Sequence, residues 1–338
     1  MEKIALITGV LGQDGTYLAD LLIKKNYKVV GVSKNILNKK KWRVKSLGLE
    51  KKIILESLDI NDSQNIEKLF KKYDFSEVYN FAAKSKVSKS FTNPIETTNE
   101  NIFSALKILE KIKQTRKKIK FYQASSSEMF GNISDKVMSN EISFNPESPY
   151  AISKLFGHYI TSYYRKSYDM FAISGILFNH ESPLRSHDFI IKKIIVGLIN
   201  IINKKQKYIE VGNIYSKRDW GYAKEYVVHI WNMMQSKKPK DFIIATGKSY
   251  SIKEFINIAV KYMNLDTKWI GNKFNEKLIN RKNKKILIKI NKKLFRPAEI
   301  QDSHIKFKKI KEIKVIKSNT KFKDLIKLMI DQEIKNSL

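Results

Sequence analysis

The feature that most constrains this chain is an alternation of two periodicities. Short apolar runs are separated by longer stretches in which apolar residues recur at helical spacing. IALITG comes first, ends in glycine, and is followed by a stretch that sets Tyr17, Leu18, Leu21 and Leu22 on one helical face. YKVVGVS, IILESLDI, EVYNFAA, IKFYQAS and MFAISGILF read as five more strands, with SQNIEKLFKKY and NIFSALKILEKIK as amphipathic segments among them. Strands alternating with helices predict an α/β chain built on a doubly wound parallel sheet, with helices on both faces.

Beyond about residue 180 the alternation fades. IIKKIIVGLINIINK reads as helical and YIEVG as a short extended segment. DFIIATG reads as a later strand, followed by the helix SIKEFINIAVKYM. Residues 272–293 are rich in Lys and Asn and are expected to form a loop or hairpin at the surface.

Composition removes several classes of function. The 338 residues contain no cysteine, which excludes disulfides and thiolate metal sites. MEKIALITGV lacks a basic segment leading into a long apolar one, and the longest apolar run, 194–202, is broken by Gly197 and Asn200. It falls well short of the ~20 residues a membrane span needs. A cytoplasmic setting without a membrane partner is expected. The net charge of +32 invites a nucleic-acid reading, but only seven of the 65 basic residues are arginines. A phosphate- or base-gripping surface would use more of that bidentate fork. The lysines are spread along the whole chain and read as solvated surface, so no nucleic-acid partner is expected.

Gly9, Gly12 and Gly15 form G-x-x-G-x-x-G between the first strand and the first helix. Glycines there allow a tight turn and close approach of the backbone to a pyrophosphate at the helix N-terminus. The spacing is that of short-chain dehydrogenases/reductases. The second strand runs out in Gly31-Val32-Ser33-Lys34-Asn35, with no acid to hold an adenosine ribose 2′-OH. Lys34 instead favours the 2′-phosphate of NADP. Asp59 ends the third strand region as a candidate adenine contact. The expected organisation is a Rossmann-type NADP-binding domain over residues 1–178, with segments around 215–262 returning to it. A smaller C-terminal part, 179–338, would mainly bind substrate.

Tyr150 and Lys154, in SPYAISK, are four residues apart and share a helical face. A nearby ammonium favours the phenolate, so this pair is expected to lower the tyrosine's pKa and supply a base for a sugar hydroxyl. Ser126, in FYQASSSEMF, is placed to hydrogen-bond the reacting oxygen. Glu128 follows at once. A simple ketoreductase needs no carboxylate there. One becomes useful when C4 has been oxidised, C5–H has become acidic, and water must leave from C6.

ALITGVLGQDGTYLADLL, EVYNFAAKSKVSKSF, FYQASSSEMFG, SPYAISKL, GILFNHESPLR, GNIYSKRDWGYAKEYV, DFIIATG and FRPAEI stand in order across residues 5–300. In these the chain resembles the GDP-mannose 4,6-dehydratase family, extended short-chain dehydrogenases/reductases. The resemblance implies that Gly9, Gly12, Gln13, Asp14 and Gly15 shape the NADP phosphate site, with Asp59 and Ile60 at the adenine. It implies that Ala82, Ala83 and Ser85 line the cofactor channel, and that Ser85 also faces substrate. Ser126, Glu128, Tyr150 and Lys154 would be the catalytic group, with Tyr150 and Lys154 also touching the cofactor. Asn179, Arg185, Lys193, Arg218, Arg296 and Glu299 would hold the GDP-sugar, and His180 would be structural. The family usually has threonine where Ser126 stands and paired arginines where Lys34-Asn35 stand. The segment after the second strand is also shorter than usual, so the implied homo-oligomer is a dimer, with the tetramer open. Asn145, Glu147 and Leu184 depart from the family as well, leaving a GDP-heptose or a GDP-N-acetylhexosamine as alternatives to GDP-mannose. An epimerase or ketoreductase on the same fold, and a basic nucleic-acid-binding protein with an inactive fold, are the rival readings.

Overall fold

A computed structural model of the chain describes residues 2–36, 41–132, 143–303 and 314–337. The first half supplies β1 (Ile4–Thr8), α1 (Gln13–Lys24), β2 (Lys28–Ser33), α2 (Trp42–Ser46), β3 (Ile53–Ser57), α3 (Ser63–Lys72), β4 (Glu77–Asn80), α4 (Val87–Thr92), α5 (Pro94–Thr115), β5 (Lys120–Ser126), α6 (Pro149–Ser167) and β6 (Ala172–Leu177). Helices begin where the sequence provides caps. The Asp62 side chain accepts from the Gln64 N–H at 2.8 Å before α3, and Ser148 Oγ accepts from the Ala151 N–H at 3.1 Å before α6. Helix α1 differs: its N-cap is Gly12, which has no side chain to occupy the first-turn amides.

The second half supplies β7 (Asn179–Glu181), α7 (Ile190–Ile202), β8 (Ile209–Val211), β9 (Lys217–Tyr222), α8 (Ala223–Met234), β10 (Phe242–Ala245), β11 (Ser249–Ser251), α9 (Ile252–Tyr262), β12 (Thr267–Ile270), β13 (Lys277–Asn280), β14 (Ile286–Ile290), β15 (Asp302–Ser303), β16 (Lys314–Lys317) and α10 (Phe322–Ser337).

One sheet runs β16-β10-β6-β5-β4-β1-β2-β3, and each neighbouring pair is parallel. This is the Rossmann-like doubly wound α/β fold that the alternation predicts. From β1 the chain builds outward through β2 and β3, then resumes on the other side of β1 at β4. The order therefore reverses between β1 and β4. In open parallel sheets the crevice outside the carboxyl ends of the strands, at such a reversal, is where ligands bind. Gly9 follows β1 there and Phe81 follows β4.

Strands covered on both faces have little room for alternation. All of β4 is buried, and so is β5 apart from Lys120. One face packs Tyr17, Leu18 and Leu22 of α1 with Tyr226 and Ile230 of α8. The other packs Ile66 and Leu69 of α3 with Ile108, Leu109 and Ile112 of α5. Burying each such leucine or isoleucine contributes about 1.5–3 kcal/mol.

The remaining elements form a second core in which α7, α9 and α10 enclose β8 and β14. Sheet β12-β13-β14-β8 and the small group β11-β9-β15, with β7 on β9, complete this part. Residues 272–293 hold the β13–β14 hairpin, but they are more than surface: Leu278, Leu287 and Ile288 are buried in the second core. Strand β16 was not apparent from the sequence. Its KVIK is four residues long and begins and ends in lysine, and pairing with β10 makes it a strand. Among the described residues no helix is long and apolar enough to cross a membrane.

Candidate active site

At the carboxyl ends of β1, β4, β5 and β6 lies a cavity of about 920 Å³, closed on the far side by residues of the second half. Its floor is the glycine turn. Gly9 adopts φ +67°, and a Cβ there would stand 3.1 Å from the Ala82 nitrogen. A Cβ on Gly15 would stand 2.6 Å from the Gly9 oxygen. The turn is tied to β4 by Thr8 Oγ1, which donates to Asn80 Oδ1 at 2.6 Å and accepts from the Ala82 N–H at 3.0 Å. The backbone is thus packed too closely for side chains, while the uncapped amides of α1 stay available to an anion.

Strand β5 delivers the catalytic candidates. Ser126 ends it and accepts from the Glu128 N–H at 3.2 Å, which starts a short 3₁₀ turn over 127–130 and buries Glu128. Tyr150 and Lys154 come from the first turns of α6, whose start Ser148 and Pro149 set. The Tyr150 phenol and Ser126 share one wall of the cavity. Lys154 Nζ donates to the Ala124 carbonyl at 2.9 Å and lies 5.8 Å from the centre of the Tyr150 ring. Ser126, Glu128, Tyr150 and Lys154 all line the cavity.

The expected pKa pattern of the Tyr–Lys pair differs in the structure. Burial pushes the Tyr150 phenol up to about 12, against a smaller lowering by the nearby Ser126 side chain. Burial also pulls Lys154 down to about 8. Desolvation dominates both shifts, and the ammonium donates to the Ala124 carbonyl rather than to the phenol.

The second half brings the remaining polar groups. Arg218 on β9 donates from Nη2 to Glu299 Oε1 at 3.2 Å and from Nη1 to the Ile300 carbonyl at 2.7 Å. Arg296 Nη1 stands 3.9 Å from Glu128 Oε1. Lys193 Nζ donates to the Glu210 carbonyl at 2.7 Å, and burial lowers its pKa. Asn179 opens β7. The Arg185 guanidinium lies 3.5 Å from the centre of the Phe189 ring. His180 bridges Asp14 Oδ2 at 2.9 Å and the Phe178 carbonyl at 2.7 Å while stacking on Tyr226. The Asp14 carboxylate raises its pKa against the opposing effect of burial.

Gly9, Gly12, Gln13, Asp14, Gly15, Ala82, Ala83, Ser85, Asn179, Arg185, Lys193, Arg218, Arg296 and Glu299 line the same cavity as the catalytic group. Lys34, Asp59 and Ile60 stand apart from its lining. Lys34 Nζ pairs with Asp59 Oδ2 at 3.1 Å and with Glu100 Oε1 at 3.2 Å, and the Ile60 side chain is buried in the core. Glu181 and Lys86 are among the lining groups not singled out from the sequence. Glu181 is buried 3.3 Å from Arg185 Nε, and burial raises its pKa. Lys86 Nζ donates to Asp188 Oδ2 at 3.2 Å, joining the start of α4 to the approach of α7. Glu181 lay within the quoted FNHESP; the Lys86–Asp188 contact had no local signal.

The family model for GDP-mannose 4,6 dehydratase matches residues 6–329. A GDP-mannose 4,6 dehydratase of Dictyostelium discoideum is 36% identical over 342 residues, covering 98% of this chain and 96% of that protein. One of Drosophila melanogaster is 38% identical over 307 residues, covering 88% and 78%. Among solved structures, UDP-N-acetylglucosamine 4-epimerase from Methanobrevibacter ruminantium superposes with a TM-score of 0.79 at 23% identity, covering 99% of each chain. The dTDP-glucose 4,6-dehydratase of Bacillus anthracis, in complex with NAD, gives 0.78 at 19%, covering 99% and 97%. The structural likenesses speak for the fold. The sequence likenesses span nearly the whole chain, and by them this protein belongs to the GDP-mannose 4,6-dehydratase family.

Proposed function

We propose that the protein converts GDP-mannose to the GDP-4-keto-6-deoxy sugar, with NADP as a cofactor regenerated in each turnover. The observation that carries this reading is Glu128. It lies in one cavity with Ser126, Tyr150 and Lys154, where a ketoreductase or epimerase has no use for a carboxylate.

A dinucleotide suits the residues present, because the crowded glycine turn leaves the α1 amides to an anion. Gly9, Gly12, Gln13, Asp14 and Gly15 would hold its phosphates, and Ala82, Ala83 and Ser85 the channel toward the nicotinamide. Lys34, Asp59 and Ile60 would serve the adenosine end, where Lys34 favours the 2′-phosphate. When bound, the nicotinamide supplies acceptance and return of one hydride.

The chain's own groups handle the protons and the sugar. Tyr150 would take the C4 hydroxyl proton as the phenolate, with Ser126 holding the reacting oxygen. Its phenol stands at about 12 without cofactor, and the positive charges of Lys154 and of the oxidised nicotinamide, when bound, would favour its ionisation. Glu128 takes the proton from C5, acidified by the C4 carbonyl, and delivers it to the departing C6 hydroxyl, which leaves as water. A proton equivalent to the one lost at C4 is restored at C5, so the sugar loses one water in all. Arg185, Arg218 and Arg296 neutralise the diphosphate, Glu299 accepts from ribose hydroxyls, and Asn179 and Lys193 complete the grip. Holding the nucleotide fixes where the hexose ring lies, and positioning carries much of the rate.

The protein works as a homo-oligomer, at least a dimer. Ile95 and Phe103 on α5 and Ile152, Tyr159 and Tyr163 on α6 are exposed on two helices that pack together. Residues 1–178 act as the cofactor domain and 179–338 mainly as the substrate part, in a cytoplasmic setting.

Purified protein given GDP-mannose and NADP should yield a product lighter by one water, without net accumulation or consumption of reduced nicotinamide. Unchanged GDP-mannose would sink the proposal, and steady consumption of NADPH would point to a ketoreductase.

A further inference from the structure

One buried guanidinium ties two distant walls of the cavity together without lining it. Arg43 on α2 is only 9% exposed. Its Nη1 donates to the Leu11 carbonyl, inside the glycine turn, at 2.9 Å. Its Nε donates to the Leu184 carbonyl at 2.6 Å and its Nη2 to Ser186 Oγ at 2.6 Å. Leu184 and Ser186 flank Arg185, whose guanidinium does line the cavity. The fork's central carbon lies over the Trp42 ring, 4.5 Å from its centre.

We propose that Arg43 is a positioning residue: it fixes the 184–186 segment against the glycine turn and so sets Arg185 for the nucleotide diphosphate. This deepens the reading of the site given above and rests on it.

Three features separate this from ordinary packing. A planar fork meets three acceptors at fixed angles, which a compact ammonium cannot reproduce. The acceptors belong to segments far apart in sequence, residue 11 on one side and residues 184 and 186 on the other. Arg185 pairs with Glu181 at 3.3 Å and lies over Phe189, but its Nε makes no aligned hydrogen bond. Its place therefore also depends on the chain around it, where Arg43 meets the Leu184 carbonyl on one side and the Ser186 hydroxyl on the other. A second link supports the same join, because Ser182 Oγ donates to Gln13 Oε1 at 2.8 Å and Gln13 Nε2 donates to the His180 carbonyl at 3.2 Å. Ser182 Oγ also accepts from the Leu184 N–H at 3.1 Å, and Arg43 extends the join to both residues that flank Arg185.

The test is a double-mutant cycle read by calorimetric binding of GDP to the full-length protein, with thermal unfolding followed alongside. Arg43→Lys should weaken GDP roughly tenfold, as misplacement of a positioned group does. In an Arg185→Lys background the same change should weaken it by less than about twofold, because the group it positions is already lost. Ser186→Ala removes one acceptor and leaves the guanidinium in place. It should give a smaller loss with the same dependence on Arg185, and it serves if Arg43→Lys does not fold. Equal losses in both backgrounds, or no loss, would overturn the proposal and leave Arg43 a packing residue. A wild-type protein that fails to bind GDP would overturn the reading of the site and this inference with it.

Discussion

Arg296 Nη1 faces Glu128 Oε1 at 3.9 Å, a contact between a residue of the C-terminal part and one at the end of the central sheet. The group assigned to the diphosphate and the group assigned to the C5 proton thus meet in one cavity. The two halves of the chain contribute different walls of that cavity.

Glu128→Gln keeps the shape of the side chain and removes its ability to accept a proton. Dehydration should fall by at least about 10²-fold, the usual worth of a positioned base. Oxidation at C4 should survive and appear as reduced nicotinamide in a single turnover. Mass spectrometry of the product reads the first effect and absorbance the second. Full dehydration by this variant would remove Glu128 from the mechanism.

Lys154 gives a pH dependence with a definite sign. Burial holds it near 8, below its ordinary 10.5. Between those values the unfolded chain binds more protons than the folded one, so this group makes stability rise with pH across that window. Its burial penalty is fully present below about 8. Activity should run the opposite way, because the charged form is the one that supports proton transfer to Tyr150. A plot of kcat/KM against pH should fall through about 8 while the unfolding temperature does not fall with it. Lys154→Arg, which keeps its charge, should abolish that alkaline limb at a lower plateau. A limb unchanged in that variant would assign it to another group.

Gly15→Ala places a methyl 2.6 Å from the Gly9 oxygen and 2.8 Å from the Val10 Cα, both backbone atoms that cannot rotate away. The turn must open. A cost of about 1–3 kcal/mol is expected, as for overpacking elsewhere. Dinucleotide affinity should drop further than stability does. Calorimetry of NADP binding beside thermal unfolding checks both, and unaltered binding would show that the turn is not the phosphate site.

Lys34 is shared between Asp59 and Glu100. A 2′-phosphate must compete with those carboxylates, so preference for NADP over NAD should be modest. Lys34→Ala should reduce the preference about tenfold, the scale of one charge-assisted contact. Glu100→Gln should raise it by removing a competitor. Dissociation constants for both dinucleotides decide this, and a preference indifferent to Lys34 would place 2′-phosphate recognition elsewhere.

Much of the molecule was legible in the sequence because the relevant physics is local. Buried parallel strands write themselves as apolar runs, and the i, i+4 spacing of Tyr150 and Lys154 follows from helical pitch. The three glycines announced a turn too tight for side chains, and the coordinates give the distances that make it so. The hairpin in 272–293 was legible as a shape but not as a core element, since its apolar residues are scattered among lysines and asparagines.

What depended on the tertiary structure is whatever depends on desolvation or on long-range contact. The lysine's nearness to the phenol was readable, but burial of both decided the direction of their pKa values. Strand β16 exists because β10 offers it a ladder, and Lys34 is engaged because Glu100 comes round on α5 to meet it. Arg43 looked like any basic residue near the start of a short helix; folding buried it and gave it three partners from two distant loops. The amino-acid order by itself determined the periodicities, turns and reactive residue types, because these are set by neighbours along the chain. Which charges are dried, paired or shared was decided only when remote segments closed around them, because the energy of a charge depends on the medium and neighbours that surround it in space.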